Sequence, residues 1–511
     1  MRGGEGLQVS GQAGSGFQAI VAREQGLQRT LSARRLSMIA IGGAIGTGLF
    51  LGSGFAIGMA GPAVLLSYAI GALIALLLMG CLAEMTIAHP TSGSFGAYAE
   101  YYLGPLAGYL VRYAYWTCIV LAVGTEVTAV ALYMRFWLPQ VPGWVWIVGF
   151  SALLIAINAR SVHVFGAVEY WFSALKVTAI VLFIVLASWL LWRAPGALAT
   201  PGGSIGLRNY SDYGGFFPRG LWGAWAAVIV AIFSYLSIEM IAVAAGEAEQ
   251  PQLAVRRAFR STVVRLILFY LLTLALILAI VPWNAAGVDE SPFVRVMRAL
   301  RLPGAAGVCN FVILVAALSA MNSQLYITTR MMFSLARGGH APQRFGTLSA
   351  RGVPAQALAL SSIGVACAAL VSVFAPRSAY LLMVSISAFG AMFTWMMIFV
   401  THYYFRRAHG APAGWRMPGF PFTTLLGALL MAAVLLTTAL TGAFRMTLVF
   451  GLPFLALLYG TYRYRQARAA SSWPRRLGTG RRVKSRARHQ RGAARAVSSR
   501  SLYPNGAASW P

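Results

Sequence analysis

Twelve apolar segments follow one another along this chain, near 36–58, 62–83, 105–137, 144–158, 166–192, 220–244, 262–283, 304–336, 356–375, 378–405, 420–442 and 446–463. About 20 apolar residues are needed for a helix to cross the hydrocarbon core of a bilayer. Inside that core only helices and closed barrels satisfy every backbone polar group. The pattern restricts the chain to a bundle of membrane-spanning helices. Composition agrees: 58% of the 511 residues are hydrophobic and 10% charged, more apolar surface than a soluble domain can hide. Some 35 polar residues precede the first segment and no small-residue cleavage site follows it, so it does not read as a signal peptide. Pro62, Pro105, Pro139, Pro142, Pro201, Pro303 and Pro354 mark several junctions.

Charge sets the orientation. With the N-terminus in the cytoplasm, the inner loops receive Arg34, Arg35, Arg160, Arg256, Arg257, Arg260, Arg344, Arg351, Arg406 and Arg407, as the positive-inside rule requires. Arg295, Arg298 and Arg301 run against the trend. An even number of spans returns the C-terminus to the cytoplasm. The expected organisation is a polar, disordered N-terminus over 1–33, a membrane domain over 34–463 and a basic, disordered tail over 464–511. Residues 461–511 hold thirteen Arg or Lys and no acid. Such a tail can lie on anionic lipid, at roughly 1 kcal/mol per basic residue near the surface, or simply be solvated. The net charge of +29 invites a nucleic-acid reading. Its placement in loops and tail, without aromatic interleaving, argues against one. Cys81, Cys118, Cys309 and Cys367 are scattered through apolar segments as packing thiols, with no metal-ligand or disulfide spacing. No cofactor is implied. No segment shows clustered His or a nucleophile motif, so an enzyme is not expected.

Within the first segment, Gly42, Gly43, Gly46 and Gly48 fall inside seven positions. Gly costs about 1 kcal/mol against Ala in a helix interior. One reading is a helix that opens in mid-membrane, leaving the N–H groups of Gly46, Thr47 and Gly48 facing a cavity and suited to a carboxylate. The other is a small-residue packing surface. Segment six mirrors it with Ser234, Tyr235 and Ser237 in mid-membrane. Two interrupted helices at corresponding places in two five-helix halves point to an inverted repeat, and so to a transporter. Carbonyls around Ala44, Phe233 and Leu236 would then be free for an ammonium. Together the two breaks suit the charged ends of an α-amino acid.

Ionisable groups inside spans are costly and default to functional hypotheses. Lys176, in mid-segment five, is one of two lysines in the chain. Lysine, unlike arginine, can shed its proton when buried, which suits a proton-coupled step; the alternative is an ammonium tied to backbone carbonyls. Glu126 in segment three and Glu239 in segment six can pair with Lys176, relay a proton, face the substrate's amine or merely hydrogen-bond between helices. Arg135 lies near an end and snorkels; Arg112 has no ready explanation. Trp137, Trp144, Trp146 and Trp192 read as interfacial anchors.

The motifs Gly43–Phe50, Gly93–Tyr98, Val164–Phe172 leading into Leu175–Val177, Phe233–Glu239, Ala245–Ala248 and Ser319–Ser323, in this order, resemble bacterial amino acid permeases of the amino acid–polyamine–organocation superfamily. Similar members carry GABA, proline, lysine and aromatic amino acids. The resemblance runs from about Leu31 to Arg407, more loosely to Arg465. It implies an all-α fold with an inverted five-plus-five repeat (36–192 and 220–405) and two peripheral helices (420–463). It implies substrate binding at the breaks, between segments one, six, three, eight and ten. The carboxylate would lie on Gly46, Thr47 and Gly48, and the amine on the carbonyls of Ala44, Phe233 and Leu236. Lys176 matches a lysine lying where sodium-coupled relatives of the fold hold an ion, which favours proton over sodium coupling. Glu126 and Glu239 match carboxylates common in this branch. Ser237 stands where many members have glycine, narrowing the side-chain pocket or adding a hydroxyl contact. Arg112 replaces a small or apolar residue, and the tail is longer than usual. The expected function is amino acid uptake across the cytoplasmic membrane by proton symport. An exchanger of the same fold is the first rival and a non-transporting sensor the second. The specific substrate and oligomeric state are left open.

Overall fold

Apolar segments in a medium without water must form their hydrogen bonds internally, and each expected segment becomes a helix or a run of helices. The computed structural model describes residues 16–27, 29–193, 195–196, 198–200, 203–286, 290–301, 303–374, 379–410 and 415–471. Two units are distinguished: Met1–Tyr462, and Arg463–Pro511, which is described only to Ser471. The expected tail beyond Ser471 lies outside the described residues.

In chain order the helices are α1 (16–23), α2 (Ala33–Ala44), α3 (Thr47–Phe50), α4 (Gly52–Ala60), α5 (Val64–Ala88), α6 (Ser94–Leu103), α7 (Pro105–Met134), α8 (Gly143–Arg160) and α9 (Val162–Arg193). After a short antiparallel hairpin of β1 (Leu198–Thr200) and β2 (Gly203–Ser204) come α10 (Gly220–Ala226), α11 (Val228–Tyr235), α12 (Met240–Ala244), α13 (Pro251–Ile280), α14 (Pro292–Ala299), α15 (Ala305–Arg337), α16 (Ala355–Phe374), α17 (Ala379–His409), α18 (Phe422–Leu440) and α19 (Met446–Ser471). Pro105 and Pro251 open α7 and α13 at the first helical position, where no N–H is needed.

Nine stretches among the described residues are long and apolar enough to span a membrane; the first, Gly52–Ala88, runs through α4 and α5. Shorter apolar helices, Leu266–Ile280 and Ala355–Cys367, lie in α13 and α16. The chain is a multi-pass helical membrane protein. Burial ranks the spans: the apolar window of Gly220–Glu247 is 100% buried, whereas those of α9 and of the last span are 28% and 22% buried. The broken sixth span therefore lies at the centre, and α9 and α19 turn most of their surface outward. Trp144 and Trp192, expected as interfacial anchors, are exposed.

Three helices have no counterpart among the expected segments. Amphipathic α14 carries Arg295 and Arg298 beside Glu290, at 3.9 and 2.7 Å, so two of the arginines that oppose the charge trend are partly neutralised. Helix α6 links α5 to α7. Helix α1 overturns part of the disorder expected over 1–33: residues 16–23 are helical, with Phe17 and Glu24 buried. Hydrophobicity gave little warning, because the apolar face is short, Phe17 and Ile20 with Val21 beside them, and the rest of the segment is held by ion pairs.

Candidate functional site

The first span opens at Ile45–Gly46, with only a one-residue turn at Leu51 beyond it. Helix α2 ends at Ala44, Ile45 (φ −88°, ψ 91°) and Gly46 (φ −134°, ψ −154°) are extended, and α3 restarts at Thr47. The amides of Gly46 and Gly48 find no acceptor among the described residues, and that of Thr47 donates to Glu126 Oε2 of α7 at 3.3 Å. A helix start carries partial positive charge, and here a protein carboxylate answers it. The four glycines combine both readings of the sequence. Only Gly46 lies in the break; the others permit close approach. A Cβ on Gly42 would meet the Glu169 carboxylate, on Gly43 the Met240 sulfur, on Gly46 Glu126 Oε1 at 2.7 Å, and on Gly48 the Ser234 Cα at 2.8 Å. Gly48 is thus where spans one and six cross.

The sixth span breaks at Leu236–Glu239, between α11 and α12. Ser237 takes φ 77°, a left-handed conformation that favours glycine. That explains why glycine suits this position. Its hydroxyl is buried and finds no partner among the described residues. Glu239 accepts from Tyr115 Oη of α7 at 2.5 Å, Trp395 Nε1 of α17 at 3.2 Å and the Ser237 amide at 3.2 Å.

The expected ammonium acceptors fare unequally. Tyr270 Oη of α13 lies 2.8 Å from the Ala44 carbonyl and 2.9 Å from that of Ser234, one hydroxyl bridging both breaks. The Phe233 carbonyl accepts the Leu236 amide at 3.2 Å. Only the Leu236 carbonyl keeps no donor among the described residues. Ala44 and Phe233 are therefore not bare, although each oxygen retains a second lone pair.

Lys176 is buried, and its ammonium donates to the Gly42 carbonyl at 2.5 Å and the Ile45 carbonyl at 3.0 Å. Among the described residues it makes no direct ion pair with Glu126 or Glu239, although Glu169 and Glu126 lie close enough to interact with its charge. It holds the C-terminal end of α2 at the break, the geometry of the tied ammonium. Sequence reasoning missed Glu169, seven residues before Lys176 on the same helix. It accepts from Asn322 Nδ2 of α15 at 2.8 Å, from Ser319 Oγ of α15 and from Ser173 Oγ at 3.4 Å. A charged residue at Lys176's i−7 position in an apolar run was the available signal. Tyr270 and Tyr380, whose Oη donates to the Thr47 carbonyl at 3.3 Å, were missed too; tyrosines in apolar segments carry no pattern that separates struts from fillers. Segments one, three, six and ten meet here as expected, and Ala320 brings segment eight against Gly46.

A family model described as amino acid permease matches residues 35–464. The uncharacterized amino acid permease YtnA of Bacillus subtilis is 37% identical over 458 residues, covering 88% of this chain and 98% of its own. The amino-acid permease RocC of the same organism is 39% identical over 447 residues, covering 85% and 94%. The aromatic amino acid transport protein AroP of Salmonella typhimurium is 37% identical over 418 residues, covering 81% and 90%. With the family model spanning most of its length and two broken helices meeting at its centre, this chain belongs to the amino acid permease family.

Proposed function

We propose that this permease imports amino acids by proton symport, with both termini in the cytoplasm, and that Glu126 is the group whose protonation admits the substrate. The observation that carries the reading is the Glu126 carboxylate on the Thr47 amide. A substrate carboxylate seeking Gly46, Thr47 and Gly48 meets a like charge in a buried site, where such repulsion is weakly screened. One proton on Glu126 removes that repulsion and frees the amide. The substrate's ammonium turns to the Leu236 carbonyl and the second lone pairs of Ala44 and Phe233, with the Ser237 hydroxyl beside them. Glu239, held by three donors, is the second candidate proton site. Lys176 holds the break open through Gly42 and Ile45; losing its proton weakens that tie after substrate release and lets the bundle rock back. Similarity to an aromatic amino acid transport protein makes aromatic amino acids the first substrates to try.

The test is radiolabelled uptake into proteoliposomes with an amino acid panel, under a pH gradient, a sodium gradient or internal substrate alone. Accumulation on the pH gradient alone supports the reading. Uptake that requires internal substrate makes the protein an exchanger. Exchange is favoured by one observation, that Lys176 already has two carbonyl partners and needs no protonation cycle. Lys176→Met then tests the lysine: symport predicts that it loses the pH-driven accumulation of the wild type, and full retention of that accumulation would leave Lys176 a tied ammonium.

A further inference from the structure

Residues 16–27 and 29–31 cross the end of the bundle that carries the N-terminus; Phe17 and Ile20 are buried there, and two polar fastenings are made besides. At the first, Glu24 is buried and its carboxylate accepts from Ser334 Oγ of α15 at 2.6 Å, Thr91 Oγ1 at 2.6 Å and the Gly93 amide at 2.8 Å, with Arg112 Nη2 of α7 at 3.5 Å. Arg112, fully buried, also donates to Ser334 Oγ at 2.9 Å and Glu100 Oε2 of α6 at 2.7 Å, and Arg23 reaches the same Glu100 at 2.5 Å. At the second, Leu31 forms a bridge with Ala248 just past the broken sixth span: its amide donates to the Glu247 carbonyl and its carbonyl accepts the Glu249 amide, both at 3.0 Å. The Glu247 side chain is in turn paired with Arg330 of α15 at 2.8 Å.

The first seat is built for its occupants. A Cβ on Gly93 would lie 2.3 Å from a Glu24 oxygen, and one on Gly96 would lie 2.4 Å from Arg112 Cγ. The Gly93–Tyr98 motif leaves out two side chains where Glu24 and Arg112 enter. Ser94 between them holds φ 43°, a strained conformation for a non-glycine residue. A strap with no further task needs no buried ion pair, since apolar packing serves stability as well. Phe17 and Ile20 add apolar burial to α1, but the ion pairs at Glu24 and the single bridge at Leu31 are contacts that water can replace when the strap lifts.

We infer that the described residues 16–27 and 29–31 act as a gate strap: Glu24 with Arg112, and Leu31 with Ala248, close this end of the transport path, and both must part for an amino acid at the helix breaks to leave by it. The inference rests on the transport reading above. Both strap contacts reach elements of the site, because Ala248 follows span six and Arg112 lies on α7, which also bears Glu126.

The experiment uses the full chain with its four cysteines replaced by alanine and Leu31→Cys/Ala248→Cys introduced, reconstituted in proteoliposomes. The probe is a tritiated mixture of the twenty amino acids. Oxidation is expected to cut uptake at least tenfold and dithiothreitol to restore it. Uptake unchanged after complete cross-linking overturns the inference. If the reduced protein takes up nothing, the transport reading fails instead, and the strap is judged by labelling. Cysteine placed by Ser334→Cys, buried beneath Glu24, should react with N-ethylmaleimide at least tenfold faster when Glu24→Ala is added. Equal rates with and without Glu24→Ala overturn the strap.

Discussion

At the level of single residues the site is set by what is left out as much as by what is present. Gly48 faces the backbone of Ser234, which cannot yield as a flexible side chain can. Gly48→Ala should therefore cost about 1–3 kcal/mol by overpacking and abolish uptake. Gly58→Ala, where a Cβ meets nothing within 4 Å, should leave uptake intact; thermal unfolding beside uptake assays reads both. Ser237 is the converse case. Relieving its φ of 77° by Ser237→Gly should stabilise the protein by about 1 kcal/mol while changing which substrates compete for uptake. A stable variant with unaltered competition would remove the hydroxyl from the site. The two glycine readings were both legible in the sequence, and so was the oddity of Ser237. What it meant was not, because a backbone angle leaves no trace in residue identity.

Among the elements, the two breaks depend on struts from neighbouring helices. Tyr270 of α13 serves both breaks, at 2.8 and 2.9 Å. Tyr270→Phe leaves two buried carbonyls without that donor and should cost about 1–3 kcal/mol, seen as a lower unfolding midpoint and slowed uptake. Lys176 was legible as a charged group in an apolar run, and a tie to backbone carbonyls was one of its two readings, but that these are Gly42 and Ile45 was not, since they are free only once α2 has broken. Glu169 and Arg112 show the same limit: pairing across helices distant in sequence follows from packing, not from local pattern. Where α1 meets the end of α5, Phe17 stacks on His89 with ring centroids 4.2 Å apart, and His89 also contacts Tyr102 and His409. Burial, with His409 adding to it, pushes the His89 pKa down to about 4. A histidine held neutral in the fold binds its proton more readily when unfolded, so stability present above the unfolded pKa of about 6.5 is lost as pH falls toward 4. Packing of α1 should weaken across that window, and His89→Gln should flatten the dependence, as hydrogen exchange of residues 16–27 would report. An identical pH profile in the variant would assign the dependence elsewhere.

Over the whole molecule, all twelve expected segments correspond to helices, and the two interrupted ones lie where small and polar residues collect. Segment count was legible because the bilayer imposes one length and one hydrogen-bonding solution on every span. The N-terminal strap was not, because Glu24 and Arg112 acquire meaning only together. On the proposed symport reading, one proton and one amino acid share a site that cannot hold two carboxylate charges. Its most direct test is Glu126→Gln in proteoliposomes, comparing accumulation on an imposed pH gradient with counterflow against internal substrate. The account predicts that pH-driven accumulation falls at least tenfold while counterflow persists, since the amide mimics the protonated acid. Wild-type accumulation on the pH gradient in Glu126→Gln would contradict it.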